Sequence, residues 1–359
     1  MKRIGIFTLY DNTNYGNRLQ NYAGQEILKN MGYKVETIVD NPLKIRIKTY
    51  LWRKIYFLRQ ARKKESDSLL WHRMRRIENF EKFNKKYIQC WFHSVERSSK
   101  IEKVVEKRFD QVFVGSDQVW NCEFASFSPA FFLDFVKKEK RCTLAPSFGI
   151  EKIPEQYKHM YQEGLKGFKY LSSREERGVR MIQELLGIDA QRVVDPTLVL
   201  TAEEWRKVSS SSHTPQEEYV LTYFLGKQPD EAKKILNRLQ AIKIISINNL
   251  FEDDYSEIGP GEFVDLIDHA KLILTDSFHA SVFSMLLNSA FVVFDRHDDR
   301  YTTMNSRIEN LLYTFQLEDR KYDEKIMERL YEKNYKKAYA ILEKERESFM
   351  SFLNKTLKH

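Results

Sequence analysis

The sequence predicts an α/β protein of two parallel-sheet units, and three observations carry that prediction. The chain opens with an apolar run, a polar turn, an amphipathic stretch and a second apolar run, the order of a β-α-β unit. A stretch without apolar residues, Ser209-Ser210-Ser211-Ser212-His213-Thr214-Pro215, interrupts the chain, and the alternation restarts beyond it. The 359 residues also exceed what one core holds, since single cores stop growing near roughly 250–300 residues.

In the first unit, residues 4–9 are an apolar run typical of a buried strand, and 10–16 are rich in Asp, Asn and Gly, which favour turns. Residues 17–30 carry a partly apolar stripe through Leu19, Tyr22, Ala23 and Ile27, with Gly32 just beyond as a stop, and 34–39 return as a strand. Further strand-like runs lie at 111–114, 143–145, 170–172 and 192–194, with helical stretches at 156–167 and 175–186. The second unit reads as strand 219–224, helix 230–239, strand 242–247, helix 262–269, strand 272–275, helix 280–287 and strand 291–294. The predicted organisation is a first domain over 1–208, a linker over 209–218, a second domain over 219–320, and a tail, 321–359, whose helix packs back on the domain junction. Open parallel sheets bind ligands outside the carboxyl ends of their strands, so two such units facing one another share a cleft.

The segment 44–108 breaks the pattern. It holds 20 Lys and Arg against 7 Asp and Glu, a surplus of 13 that leaves the remainder at −5 within an overall charge of +8. Its helix-period sequence with interleaved aromatics predicts a helical insertion, either simply solvated or resting a basic aromatic face on an anionic membrane. Nucleic acid is not an expected partner, because no recognisable binding module is present. The 42% hydrophobic content excludes a disordered chain. The apolar run after Met1-Lys2-Arg3 is too short for a signal peptide, and none reaches the ~20 residues of a membrane span, so a cytoplasmic protein is expected. Cys90, Cys122 and Cys142 match neither a disulfide framework nor a zinc pattern and read as reduced thiols.

Candidate chemistry lies in the loops. After the first strand, Asn14, Asn17 and Arg18 join Asp11 and Asn12 at a helix start, a mixture suited to hydroxyl-rich or anionic ligands, with an ordinary Asx turn as the equal alternative. It is not a GxGxxG loop, so no dinucleotide is expected. After 111–114, Gly115, Ser116, Asp117, Trp120 and Asn121 combine polar groups with an aromatic face, as a sugar site does, although Trp120 equally fits a core. Ser147 lies in a third such loop. Arg174 ends another run, placed to fork onto a carboxylate or phosphate or to form a salt bridge. Asp195-Pro196 reads as a turn. In the second unit a buried run ends in Thr275-Asp276-Ser277-Phe278-His279. An imidazole beside a carboxylate is the usual equipment for proton transfer near neutral pH, while the alternative makes Asp276 a helix cap and His279 a filler.

Taken in order, Asn14-Tyr15-Gly16-Asn17, Gly115-Ser116-Asp117-Gln118-Val119-Trp120-Asn121, Ala145-Pro146-Ser147-Phe148-Gly149, Ser173-Arg174-Glu175, Asp195-Pro196-Thr197, Thr275-Asp276-Ser277-Phe278-His279 and Met304-Asn305-Ser306-Arg307 resemble the polysaccharide pyruvyl transferase family through about residue 320. The resemblance implies two Rossmann-like domains facing across a cleft, as in B-type glycosyltransferases. It also implies transfer of pyruvate from phosphoenolpyruvate to two hydroxyls of a glycan or lipid-linked sugar, without a metal or other cofactor. His279 then matches the family's acid/base and Arg174 a donor-binding arginine, and Arg307 is expected to join Arg174 on the donor's carboxylate and phosphate. Asn14, Asn17, Arg18, Gly115, Ser116, Asp117, Trp120, Asn121, Ser147, Asp276 and Ser277 complete the expected substrate site, with the acceptor on the first domain and the donor on the second. Many members carry Arg-Leu-His after Thr-Asp, whereas this chain has Ser277-Phe278-His279. Two other functions stay open: a glycosyltransferase whose Glu262 holds the ribose of a nucleotide sugar, and a non-catalytic glycan-binding protein.

Overall fold

The structure is a computed structural model that describes residues 1–41, 43–63, 69–95, 100–124, 126–239, 242–247, 254–296 and 304–358. Its first sheet has five parallel strands, β1 (Arg3–Phe7), β2 (Lys34–Asp40), β3 (Cys90–His93), β4 (Gln111–Val114) and β5 (Arg141–Thr143), in the order β3-β2-β1-β4-β5. That order is the nucleotide-binding half of a doubly wound fold. The helices are α1 (Tyr15–Asn30), α2 (Leu43–Lys63), α3 (Leu69–Tyr87) and α4 (Ile101–Arg108), then α5 (Glu155–Leu165), α6 (Glu176–Leu186) and the short α7 (Ala202–Arg206). Between the last of these, β6 (Ser172–Ser173) and β7 (Gln191–Arg192) pair separately.

One expectation is corrected. The segment 44–108 supplies α2, α3 and α4, yet it also contains β3, paired with β2 from Thr37↔Cys90 to Asp40↔His93. The segment therefore holds the enlarged β2–β3 crossover (α2 and α3), the edge strand β3 itself, and α4 on the way to β4. The aromatics Trp91 and Phe92 suit either period, and the backbone pairing available along the edge of β2 decides.

The second sheet is also parallel, with β8 (Tyr219–Tyr223), β9 (Lys243–Ser246), β10 (Leu272–Thr275) and β11 (Phe291–Val293) in the order β11-β10-β8-β9. Its helices are α8 (Asp230–Arg238), α9 (Pro260–His269), α10 (Phe278–Leu286) and α11 (Met304–Phe315), and the chain ends in α12 (Lys336–Leu357). Residues 209–214 do not hang free: Ser209 and Thr214 donate to Asp265, and Ser210 and Ser212 donate to Glu262, all on α9.

Side chains alternate across each sheet, as a period of two requires. Ile4 and Ile6 of β1 and Phe113 of β4 enter the same buried cluster as Tyr219, Leu221 and Ile273 of the second sheet. Their neighbours Phe7, Val112 and Val114 face a separate core under α5 and α6, and Val220, Leu272 and Leu274 face a third. The central cluster thus joins both halves. Tyr15 stacks on Phe263 across it at 4.5 Å, and Leu342, Phe349 and Leu353 of α12 enter it too. On the same helix Arg346 donates to the Leu198 and Leu200 carbonyls and Gln191 reaches Ser348, while Tyr339 just upstream donates to Met285 in the other half. Among the described residues no helix is long and apolar enough to cross a membrane.

Candidate functional site

The carboxyl ends of both sheets open onto a cavity of about 390 Å³. One wall follows β1 and β4. Asn14 caps α1 by accepting from the Asn17 amide at 3.0 Å, and the Asn17 side chain donates to Asp117 Oδ2 at 3.1 Å, tying the two loops together. Asp117 sits at φ 71°, a left-handed conformation that Asp tolerates better than most residues, with Oδ1 accepting from the next amide. The facing wall follows β8, β10 and β11 with Tyr223, Leu225, Ser277, His279 and Arg296.

His279 lies in the first turn of α10, whose N-cap is Ser277. Its ring crosses the cleft to the start of α1. A Cβ placed on Gly16 would stand 2.0 Å from His279 Nδ1, so only glycine leaves room for the imidazole. The other ring nitrogen, Nε2, is buried without a hydrogen-bond partner and lies 3.8 Å from Asp195 Oδ2. That same oxygen accepts from Ser116 Oγ at 2.9 Å and from Arg174 at 2.8 Å, while Oδ1 accepts from the Thr197 amide and hydroxyl. Burial alone would raise the Asp195 pKa. His279, Arg174 and the Thr197 amide outweigh that effect and hold the carboxyl well below the usual range.

Three guanidiniums surround this pair. Arg296 donates to Asp276 Oδ2 and to the Asp276 carbonyl, at 3.2 and 3.0 Å. Arg307 borders the cavity, and burial together with the neighbouring Arg174 cation lowers its pKa to about 10, so it stays charged at neutral pH. Arg174 packs its guanidinium 4.7 Å above the Phe278 ring and lines a second cavity, of about 1010 Å³, which Asp195, Phe278 and Arg307 also border. An anion bound beside Arg307 would offset the repulsion that Arg174 exerts on it.

Of the residues singled out in the sequence, Asn14, Asn17, Asp117, Ser277, His279 and Arg307 border the smaller cavity. Ser116 and Arg174 stand behind it through Asp195. Asp276 does not orient His279; its carboxylate accepts from the Leu225 and Gly226 amides at 2.7 and 2.8 Å and from Arg296. Arg18 turns inward, donating to the Leu9 carbonyl and to Asn17 and lying 4.3 Å over the Tyr10 ring. Asn121 and Ser147 are buried against Gln118 and Glu175. Gly115 permits a backbone crossing, since a Cβ there would lie 2.7 Å from Thr8 Cβ.

Trp120 is corrected outright. It is 0% exposed among Phe132, Phe148 and Phe168, with its indole N–H donating to the Phe131 carbonyl at 3.0 Å, so it offers no face to a sugar. Trp120→Ala is expected to destabilise the protein by about 3–5 kcal/mol in denaturant unfolding, the range for emptying a large buried aromatic site. A loss of acceptor affinity at unchanged stability would instead restore the platform role.

Sequence reasoning missed Asp195 and Arg296. The Asp-Pro signal for a turn was correct for Oδ1 and silent about Oδ2. Nothing in the sequence around Arg296 marks it.

A model of the polysaccharide pyruvyl transferase family matches residues 14–298. A comparison with curated proteins gives no significant match. Among solved structures, the chain is similar to a UDP-GlcNAc 2-epimerase of Neisseria meningitidis bound to UDP-GlcNAc, with TM-score 0.51, 11% identity, and 99% of this chain and 100% of that one covered. It is similar also to MnaA of S. aureus bound to UDP, with TM-score 0.50, 11% identity, and 99% and 97% covered. At such identity the likeness shows the fold, two Rossmann-like halves of the B-type glycosyltransferase kind.

Proposed function

Because the chain belongs to the polysaccharide pyruvyl transferase family, and is thereby a transferase that modifies cell-surface polysaccharide, we propose that its donor is phosphoenolpyruvate and its acceptor a sugar of that polysaccharide or of its lipid-linked precursor. The observation that most supports this is the meeting of His279 with Arg296 and Arg307 around one cavity. The donor carries a carboxylate and a phosphate, and planar guanidiniums match both. Arg296 gives the cleft a cation beside Ser277 and Phe278, where many family members carry an arginine in the motif itself.

In this reading His279 handles the proton while the donor's methylene carbon is protonated and its second carbon becomes electrophilic. One sugar hydroxyl adds there and gives up its proton, phosphate leaves with the C–O bonding pair, and a second hydroxyl closes the ketal; of the two hydroxyl protons one balances that taken by the methylene carbon and the other leaves on the phosphate. Arg296 and Arg307 hold the departing phosphate and the carboxylate. Asp195 keeps an anion 3.8 Å from the imidazole. Asn14, Asn17 and Asp117 face the acceptor from residues 1–208, and residues 219–320 hold the donor. The nucleotide-sugar alternative loses its anchor, because Glu262 accepts from the Gly259 amide and from Ser210 and Ser212.

Calorimetry with phosphoenolpyruvate and with nucleotide sugars tests the donor. Binding of phosphoenolpyruvate is expected, weakened about 10–100-fold by Arg296→Ala, as a lost charged hydrogen bond implies. Heat from nucleotide sugars alone would refute the donor assignment.

A further inference from the structure

Among the described residues, α2 gathers several of the large exposed apolar side chains. Ile47, Tyr50, Leu51 and Ile55 are each about half exposed, at 50, 50, 52 and 49%, and their spacing puts them on one side of the helix. The opposite side holds the helix to the protein: Arg53 donates to both oxygens of Glu81 on α3, at 2.9 and 2.8 Å, and the Phe57 ring meets Trp71 edge-on at 5.0 Å. With α2 docked through Arg53 and Phe57, Leu51 and Ile55 face away from the protein, and Ile47 and Tyr50 form the rim of this face, where they also border a groove beneath the helix. Over Leu43–Lys63 the sequence has eight Lys and Arg and no Asp or Glu, with Lys48 and Lys54 exposed beside the apolar row.

We propose that α2 lies on an anionic lipid bilayer, with Ile47, Tyr50, Leu51 and Ile55 entering the headgroup boundary and Lys48 and Lys54 meeting lipid phosphates. A row of apolar side chains flanked by cations, with no carboxylate along the helix, is the pattern of an interfacial helix. Long lysine stems bury their methylenes and keep their charge at the headgroups. A second copy of the chain would instead bring its own Lys48 and Lys54 against the cations flanking this face.

The placement has a consequence for the acceptor and there rests on the glycan-transfer reading. A groove of about 950 Å³ runs beneath α2, walled by Tyr50, Trp52 and Met74, and reaches Tyr10 and Asp11, which also border the 390 Å³ cavity. A sugar carried on a membrane lipid enters the site along this groove without leaving the surface.

The test is flotation of the full-length chain with vesicles of phosphatidylcholine alone and of phosphatidylcholine with phosphatidylglycerol, at low and high salt. Binding to the anionic vesicles at low salt is expected, lowered at least about tenfold by Leu51→Glu combined with Ile55→Glu and likewise by Lys48→Glu combined with Lys54→Glu. Neither pair of changes should shift the melting temperature or the phosphoenolpyruvate affinity in solution, so membrane docking and donor choice fail separately. Equal flotation with both vesicle types overturns the proposal, as do double variants that bind like the parent. A dimer in solution that Leu51→Glu dissociates, without vesicle binding, also overturns it and makes the face a self-association surface.

Discussion

Replacing His279 with alanine is expected to lower turnover by about 10²–10⁴-fold and leave the protein folded, the range that positioned acid–base groups contribute. The ring is only 9% exposed, yet its Nε2 has no hydrogen-bond partner, so its removal leaves no new polar orphan. The effect should fall on kcat more than on KM, because the guanidiniums that would hold the donor stay in place. Gly16→Ala is the companion measurement. It leaves His279 chemically intact but demands the space its ring occupies, so a similar fall in kcat would show that the placement of the imidazole matters. Full activity in His279→Ala would remove it from the reaction.

Replacing Asp195 with alanine is expected to destabilise the protein by about 3–5 kcal/mol, measured by denaturant unfolding. The side chain is fully buried and accepts from Ser116, Arg174 and Thr197, so its loss leaves the buried Arg174 cation with Glu175, 3.8 Å away, as its remaining anionic partner. Asp195→Asn, which keeps the shape, isolates the charge. Its pH dependence has a definite sign. The folded-state pKa is depressed, so the carboxylate stabilises the protein fully above the ordinary carboxyl value of about 4, and that stability disappears as the pH falls below it. The asparagine variant should lose less stability than the parent over that acid range. Equal acid sensitivity of the two would show that the Asp195 charge does not couple to folding.

The strands were legible because buried parallel strands are short apolar runs bounded by turn residues, and 4–9, 111–114 and 272–275 have that form. His279 was legible for a related reason: a polar cluster where such a run ends falls at the ligand-binding edge of the sheet. Partnership was not legible. Thr275-Asp276-Ser277-Phe278-His279 places Asp276 beside His279 in sequence, yet the turn into α10 aims its carboxylate at the amides of Leu225 and Gly226. The anion facing the ring comes from Asp195, 84 positions earlier, through contact between the two halves. Trp120 shows the same limit, because a loop aromatic suits a sugar or a core until the packing of Phe132 and Phe148 decides.

The continuous central core bears on how the enzyme moves. Two-domain α/β proteins with small polar interfaces are expected to hinge open and shut, and a large dry interface removes that freedom. Here the Tyr15–Phe263 stack sits between the halves, and the C-terminal helix is bonded to one half while Tyr339 on its first turn anchors it to the other. Separating the halves would also pull His279 away from the start of α1, dismantling the site it serves. Parting the halves would therefore expose this shared core to water, a cost that weighs against a hinge between them.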